Sequence, residues 1–174
     1  MAWLRWYHVV MKLVVVLDNV RSVHNVGSIF RTADAAGVEK IYCCGITPGP
    51  LDRFKQVRAD FAKVALGAEK SVAWEAGGGG AVDVVTALKE DGWQIFAVEQ
   101  AENSVPYDEA TRTARAARTD VQAKIALVLG AEVDGVSESV LKLADKILEI
   151  PMRGKKESLN VAVAFGIVAF ELKK

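Results

Sequence analysis

The chain is poor in the residues that build metal centres and disulfide frameworks, with two histidines and two cysteines among 174 residues. His8 and His24 have no clustered ligands beside them, so no metal is expected. Cys43 and Cys44 are neighbours in an apolar run and read as core residues, which makes a reducing cytoplasm the expected compartment. No charge of one sign dominates either. The 22 lysines and arginines equal the 22 acids, a balance that neither announces nor excludes a nucleic-acid partner, because local patches matter more than the total. Long apolar runs are also missing. Leu13–Leu17 is too short for a signal-peptide core and no small-residue cleavage site follows it. Ser158–Leu172 is too short and interrupted to span a bilayer, so no membrane is expected. The run Gly77–Gly80 lacks the lysine and hydroxyl that a phosphate-binding loop needs after its glycines, and it reads as a flexible connection.

What is present is a succession of short apolar runs separated by helical patterns. Strands are expected at Leu13–Leu17, Lys40–Cys44, Ser71–Trp74, Gln94–Glu99, Ile125–Leu129 and Ile147–Ile150. A helix starts at Asn25, as its N-cap, and stops at Gly37, with Val26, Ile29, Phe30, Ala33 and Ala36 or Ala35 on one face. Further helices are expected at 81–91, Ser137–Leu143 and Ser158–Leu172, the last apolar nearly all round and therefore buried. Residues 51–67 are helical or irregular, and 101–123 are polar without clear pattern. Continuously apolar strands alternating with helices make an α/β fold, a mostly parallel open sheet with helices on both faces. One domain over residues 1–174 is expected, with residues 1–11 set apart as an N-terminal arm or an upstream start.

Ligands of open parallel sheets collect beyond the carboxyl ends of the strands. Three such ends carry unusual polar groups. Asn25 and Arg31 follow the first strand, Glu132 follows Ile125–Leu129, and Ser158 and Asn160 follow Ile147–Ile150. Each alone is accounted for as a helix cap, a solvated residue or a loop carboxylate; three together in one small domain point to a site.

Those three segments resemble the SpoU-type, TrmH-like RNA ribose 2′-O-methyltransferases of the SPOUT class, over nearly the whole chain. N-x-G-x-x-x-R occurs as Asn25, Gly27 and Arg31; G-x-E-x-x-G as Gly130, Glu132 and Gly135; and IPM-x-G-x-x-x-SLN-V from Ile150 to Val161. The resemblance implies a C-terminal deep trefoil knot, which nothing in strand patterning predicts. It implies S-adenosylmethionine as cofactor, with Leu129, Gly130, Ile150, Met152 and Leu159 in contact with it. It also implies a homodimer, and a catalytic region formed by Asn25, Arg31, Glu132, Ser158 and Asn160.

Methyl transfer from a sulfonium to a hydroxyl is an in-line displacement in which positioning supplies much of the acceleration. The expected reaction is methylation of a ribose 2′-hydroxyl in tRNA or rRNA. An arginine is effectively always protonated, so Arg31 is expected to hold an RNA phosphate or the developing alkoxide rather than to act as a base. Asn25 and Asn160 would orient the acceptor, and Glu132 would hold a loop or an arginine. The first motif begins by residue 25, so no separate RNA-binding domain is expected. Basic residues cluster at Arg53, Lys55, Arg58 and Lys63, at Arg112, Arg115 and Arg118, and at Arg153, Lys155 and Lys156; of these Arg112, Arg115, Arg118, Arg153 and Lys155 are the expected RNA contacts. Two other readings compete: a knotted methyltransferase acting on a nucleobase, with Glu132 or Asp134 near the base edge, and a non-catalytic RNA-binding relative.

Overall fold

The computed structural model describes residues 11–116 and 123–174. The arm proposed at the N-terminus, apart from Met11, lies outside the described residues. In chain order the elements are β1 (Lys12–Asp18), α1 (Val23–Ala36), β2 (Lys40–Cys44), α2 (Ala59–Ala65), α3 (Ala68–Ser71), β3 (Ala73–Gly77), α4 (Ala81–Glu90), β4 (Gln94–Val98), β5 (Val105–Pro106), α5 (Tyr107–Ala116), β6 (Lys124–Leu129), α6 (Glu138–Leu141), β7 (Lys146–Glu149) and α7 (Val161–Leu172). The described strands form one sheet in the order β3-β2-β1-β6-β4-β7-β5. Every pairing in it is parallel.

The apolar strands are continuous because both faces of the sheet are covered. Along β1, Leu13, Val15 and Leu17 face a core shared with α1, α2, α3 and α7, whereas Val14 and Val16 face α4 and α6. The same alternation divides β6, with Ile125, Leu127 and Leu129 on one side and Ala126 and Val128 on the other. Phe30 of α1 meets Phe61 of α2 edge to face, ring centroids 5.1 Å apart. Both cysteines are buried and unbridged; burial pushes each thiol up to about 12, so neither is a reactive thiolate at neutral pH.

Several expectations about boundaries and burial need correction. The first helix starts at Val23 and is capped by Ser22, whose Oγ accepts from the backbone N–H of Asn25; Asn25 is already inside the first turn. Ser158 lies outside α7, which starts at Val161 with Asn160 as its N-cap. Nor is α7 buried all round: Phe165, Val168, Ala169 and Leu172 are buried, but Val163 and Phe170 are 51% and 50% exposed. An all-apolar helix was read as an all-buried one, whereas here one stripe faces outward. The glycine run is shared between two elements, Gly77 ending β3 and Gly80 capping α4. Ser71 closes α3 instead of opening a strand, and the polar 101–123 stretch contains β5 and α5.

Candidate active site

Sheet order brings β1, β6, β4 and β7 side by side, so the loops leaving their carboxyl ends are neighbours. After β6 the chain folds back on itself: Ala131 and Gly135 exchange backbone hydrogen bonds of 3.0 Å in both directions. Gly135 adopts φ +69°, and a Cβ on Gly130 would overlap the backbone of Gly135 and Val136. The two glycines of G-x-E-x-x-G are therefore steric requirements of this turn.

The turn projects Glu132 toward the start of α1. Its carboxylate accepts from the backbone N–H of Arg21 (3.1 Å), the backbone N–H of Ser22 (3.2 Å) and Nδ2 of Asn25 (2.8 Å). Partial burial works to raise the Glu132 carboxyl, but the hydrogen bonds from Asn25, Arg21 and Ser22 prevail and hold it below the ordinary carboxylate range. Asn25 passes the connection on: its Oδ1 accepts from Nδ2 of Asn160 at 3.0 Å. Asn160 in turn caps α7, its Oδ1 accepting from the N–H of Ala162 at 2.9 Å. One residue from each motif thus stands in a single hydrogen-bonded line. Beside it, Arg21 pairs with Asp134 at 3.1 Å on the surface.

A second set of ties was not legible as functional in the sequence. Glu99, at the end of β4, accepts from the N–H of Val136 at 2.9 Å and from the N–H of Gln100 at 2.8 Å. The Gln100 side chain donates to the carbonyl of Glu157 at 2.6 Å. Asp18, buried at the end of β1, accepts from the N–H of Ser137 at 3.0 Å. Glu99 and Asp18 thereby fasten the loop after β6, and Gln100 the loop after β7, to the strands beside them. The available signal was a carboxylate directly ending a buried strand.

Two adjoining clefts lie along this junction. One is lined by Val98, Glu99, Leu148, Ile150, Met152 and Leu159. The other, about 520 Å³, is lined by residues including Leu129, Gly130, Glu132, Ser158 and Asn160, a volume within the usual range for small-molecule sites. Val98, Glu99, Ser158, Leu159 and Ala164 belong to both. All five residues expected at a cofactor therefore line one continuous depression.

Arg31 stands apart. It is exposed on α1 and makes no hydrogen bond or ion pair among the described residues. Six residues separate it from Asn25, which places the two roughly 120° apart around the helix axis. Ser158 is exposed at the cleft wall. Of the basic residues, Arg153 and Lys155 are exposed on the loop after β7 and Arg112 is exposed on α5. Arg115 lies within α5, but its side chain, like the whole of Arg118, falls outside the described residues.

The arrangement defines a parallel α/β domain whose ligand site lies beyond the carboxyl ends of adjacent strands. The chain belongs to the SpoU rRNA Methylase family, whose sequence profile matches residues 12–170. It is 34% identical over 163 residues to the 23S rRNA (guanosine-2′-O-)-methyltransferase RlmB of Ralstonia nicotianae, covering 91% of this chain and 57% of that protein. It is 33% identical over 156 residues to RlmB of Escherichia coli, covering 90% and 57%. The chain thus spans little more than half the length of these curated relatives. Among solved structures it resembles an AdoMet-bound rRNA methyltransferase from Sinorhizobium meliloti (TM-score 0.78, 27% identity, 94% of this chain and 56% of that one). It also resembles the TrmH/SpoU tRNA modifying enzyme of A. aeolicus (TM-score 0.70, 29% identity, 95% of this chain and 77% of that one).

Proposed function

We propose that this protein is an S-adenosylmethionine-dependent RNA methyltransferase that modifies a ribose 2′-hydroxyl of rRNA or tRNA. The observation that carries the reading is the line Glu132–Asn25–Asn160, which joins all three motifs beside the cleft lined by Leu129, Gly130 and Leu159. The cleft suits the cofactor: apolar side chains stand ready for a flat base, and Glu99 and Ser158 offer polar partners at its wall. Leu129, Gly130, Ile150, Met152 and Leu159 would hold it, and when bound it supplies an electrophilic methyl group. The protein's own task is then to present the hydroxyl. Asn25 and Asn160, each held by its neighbour, orient the acceptor. Glu132 fixes the start of α1 in place. Arg31, exposed and without a described partner, holds an RNA phosphate or the oxygen on which negative charge develops.

The nucleobase reading is weaker on physical grounds. Its two candidate carboxylates are engaged, Glu132 by three hydrogen bonds and Asp134 by Arg21. The outward stripe of α7 at Val163 and Phe170 supports the expected homodimer, with a second copy covering it; likeness to the solved relatives supports a trefoil knot in the loops after β6 and β7. Arg153, Lys155 and Arg112, together with Arg115 and Arg118, are the proposed phosphate contacts. The deciding experiment incubates the protein with methyl-labelled S-adenosylmethionine and unmodified rRNA or tRNA, then digests the RNA to nucleosides. Label in 2′-O-methylribose is expected. Label on a base, or calorimetry in which S-adenosylmethionine does not bind, overturns the reading.

A further inference from the structure

The loop between β2 and α2 is a built feature with no place in the site described so far. Its root is pinned to the end of β1: Thr47 Oγ1 donates to the carbonyl of Leu17 at 3.1 Å, and Asn19 Oδ1 accepts from the N–H of Ile46 at 3.2 Å. Its arms pair as a small hairpin, Leu51 opposite Val57, closed by a bond from Arg58 N–H to the Pro50 carbonyl at 2.9 Å. At the tip, Asp52 Oδ1 accepts from the N–H groups of Phe54 (2.8 Å) and Gln56 (2.9 Å), and Lys55 takes the left-handed conformation at φ +61°. These bonds order the backbone of the turn and so set the positions from which its side chains project.

What it displays is unusual for a solvated turn. Phe54 is 68% exposed even though the Arg53 guanidinium lies 4.7 Å from its ring centroid. Arg53 and Lys55 flank it, both exposed, and neither has an acidic partner among the described residues. An exposed ring backed by a guanidinium and bracketed by cations is the combination by which proteins stack an unpaired base while attracting its phosphates. The loop leaves the carboxyl end of β2, two strand spacings, or roughly 10 Å, from the carboxyl end of β6 where the motif loop starts.

We propose that Arg53, Phe54 and Lys55 form a stacking platform for an unpaired RNA base outside the reacting pocket, anchoring the strand whose neighbouring ribose enters the cleft. The occupant is single-stranded RNA. This rests on the methyltransferase reading for the identity of the strand, but not for its measurement.

The probe is a single-stranded RNA 12-mer carrying 2-aminopurine, whose fluorescence is quenched on stacking. Wild-type protein is expected to bind and quench it. Phe54→Ala should lose about tenfold in affinity together with the quenching, Phe54→Trp should retain both, and Arg53→Gln should weaken binding and flatten its salt dependence. Phe54 is a surface side chain, so these variants should melt with the wild type. A wild type that does not bind the probe, or Phe54→Ala binding it unchanged, overturns the platform. So does a Phe54→Ala variant whose sedimentation reveals a lost protein–protein contact. Calorimetry with S-adenosylmethionine on the same preparations separates the two claims: cofactor binding with unchanged RNA binding in Phe54→Ala removes the platform alone, and failure of the wild type to bind cofactor removes the methyltransferase reading alone.

Discussion

The two halves of the cleft differ in how far the chain has already built them. On the side of the motif-two turn, Gly130, Glu132, Asn25 and Asn160 are locked by backbone overlap limits and five hydrogen bonds. On the side of the loop after β7, Leu159 is 40% exposed, Met152 is half-buried, and Ser158 and Arg153 are exposed. There the Gln100–Glu157 bond ties the loop to the one after β4. Positions that must orient a reacting hydroxyl gain from being fixed in advance, since misplacement by an ångström costs on the order of 100-fold in rate. A cofactor wall can be completed by the cofactor itself. Substitutions that break the backbone fit or the caps of the first half should therefore cost stability as well as turnover, and those in the second should damage ligand affinity alone.

The harshest way to break the built half is Gly130→Ala. The added methyl has nowhere to go but into the Gly135–Val136 backbone, so a loss of about 3 kcal/mol is expected from overpacking, read as a lowered chemical-denaturation midpoint. An unperturbed midpoint would show that the turn can open. Glu132→Ala comes next. It frees the start of α1 and leaves Asn25 with one of its two partners, and single-turnover methylation should fall about 100-fold while S-adenosylmethionine affinity stays near wild type. The open half is tested by Leu159→Ala, expected to weaken cofactor binding by about tenfold, or ~1.4 kcal/mol, with thermal stability within ~0.5 kcal/mol of wild type. Destabilisation as large as that of Glu132→Ala would erase the distinction between the halves.

How much of this was legible in the sequence follows from the same distinction. Strands β1, β2, β4 and β6 were readable because a run buried on both faces can only be apolar. The short elements α3 and β5 were not, and α2 only as part of a stretch left helical or irregular, because their position is decided by tertiary contacts. Asn25 shows the limit within the site. Its residue type suits an N-cap, and Ser22, three residues earlier, suits one equally; only the geometry of Glu132 decides that Ser22 caps the helix and Asn25 reaches across. Glu99 offered only its place at a strand end, because a carboxylate after a strand declares nothing about the amides it will meet. The exposed stripe of α7 was missed for a related reason: composition reports that a helix is apolar, not which surface it will find.

Asn160 sharpens the comparison further, because it performs two tasks that can be separated. Asn160→Ala removes both the cap on Ala162 and the bond to Asn25, and about 1 kcal/mol of stability should go with the cap. Asn160→Asp keeps an acceptor for the Ala162 amide but cannot donate to Asn25, so it should melt with the wild type and still lose activity. Equal activity in Asn160→Asp and wild type would mean that the bond to Asn25 does not matter for the reaction.

The smallest effect is the pH response of Glu132. Its folded-state carboxyl sits below the ordinary range despite the opposing pull of burial, so its contribution to stability is fully present above the unfolded value, roughly pH 4.3, and is lost as pH falls through the lowered folded value. The difference in melting temperature between wild type and Glu132→Gln should be constant from pH 8 to about pH 5 and should close under more acidic conditions. A difference that grows on acidification has the wrong sign and would place the proton on Glu132 in the folded state. The same lowered value keeps Glu132 ionised across the neutral range, so a rise in methylation rate between about pH 6 and pH 9 cannot be its titration. That rise should survive, scaled down but unshifted, in Glu132→Gln, which leaves the group that receives the ribose proton to be sought elsewhere than at Glu132.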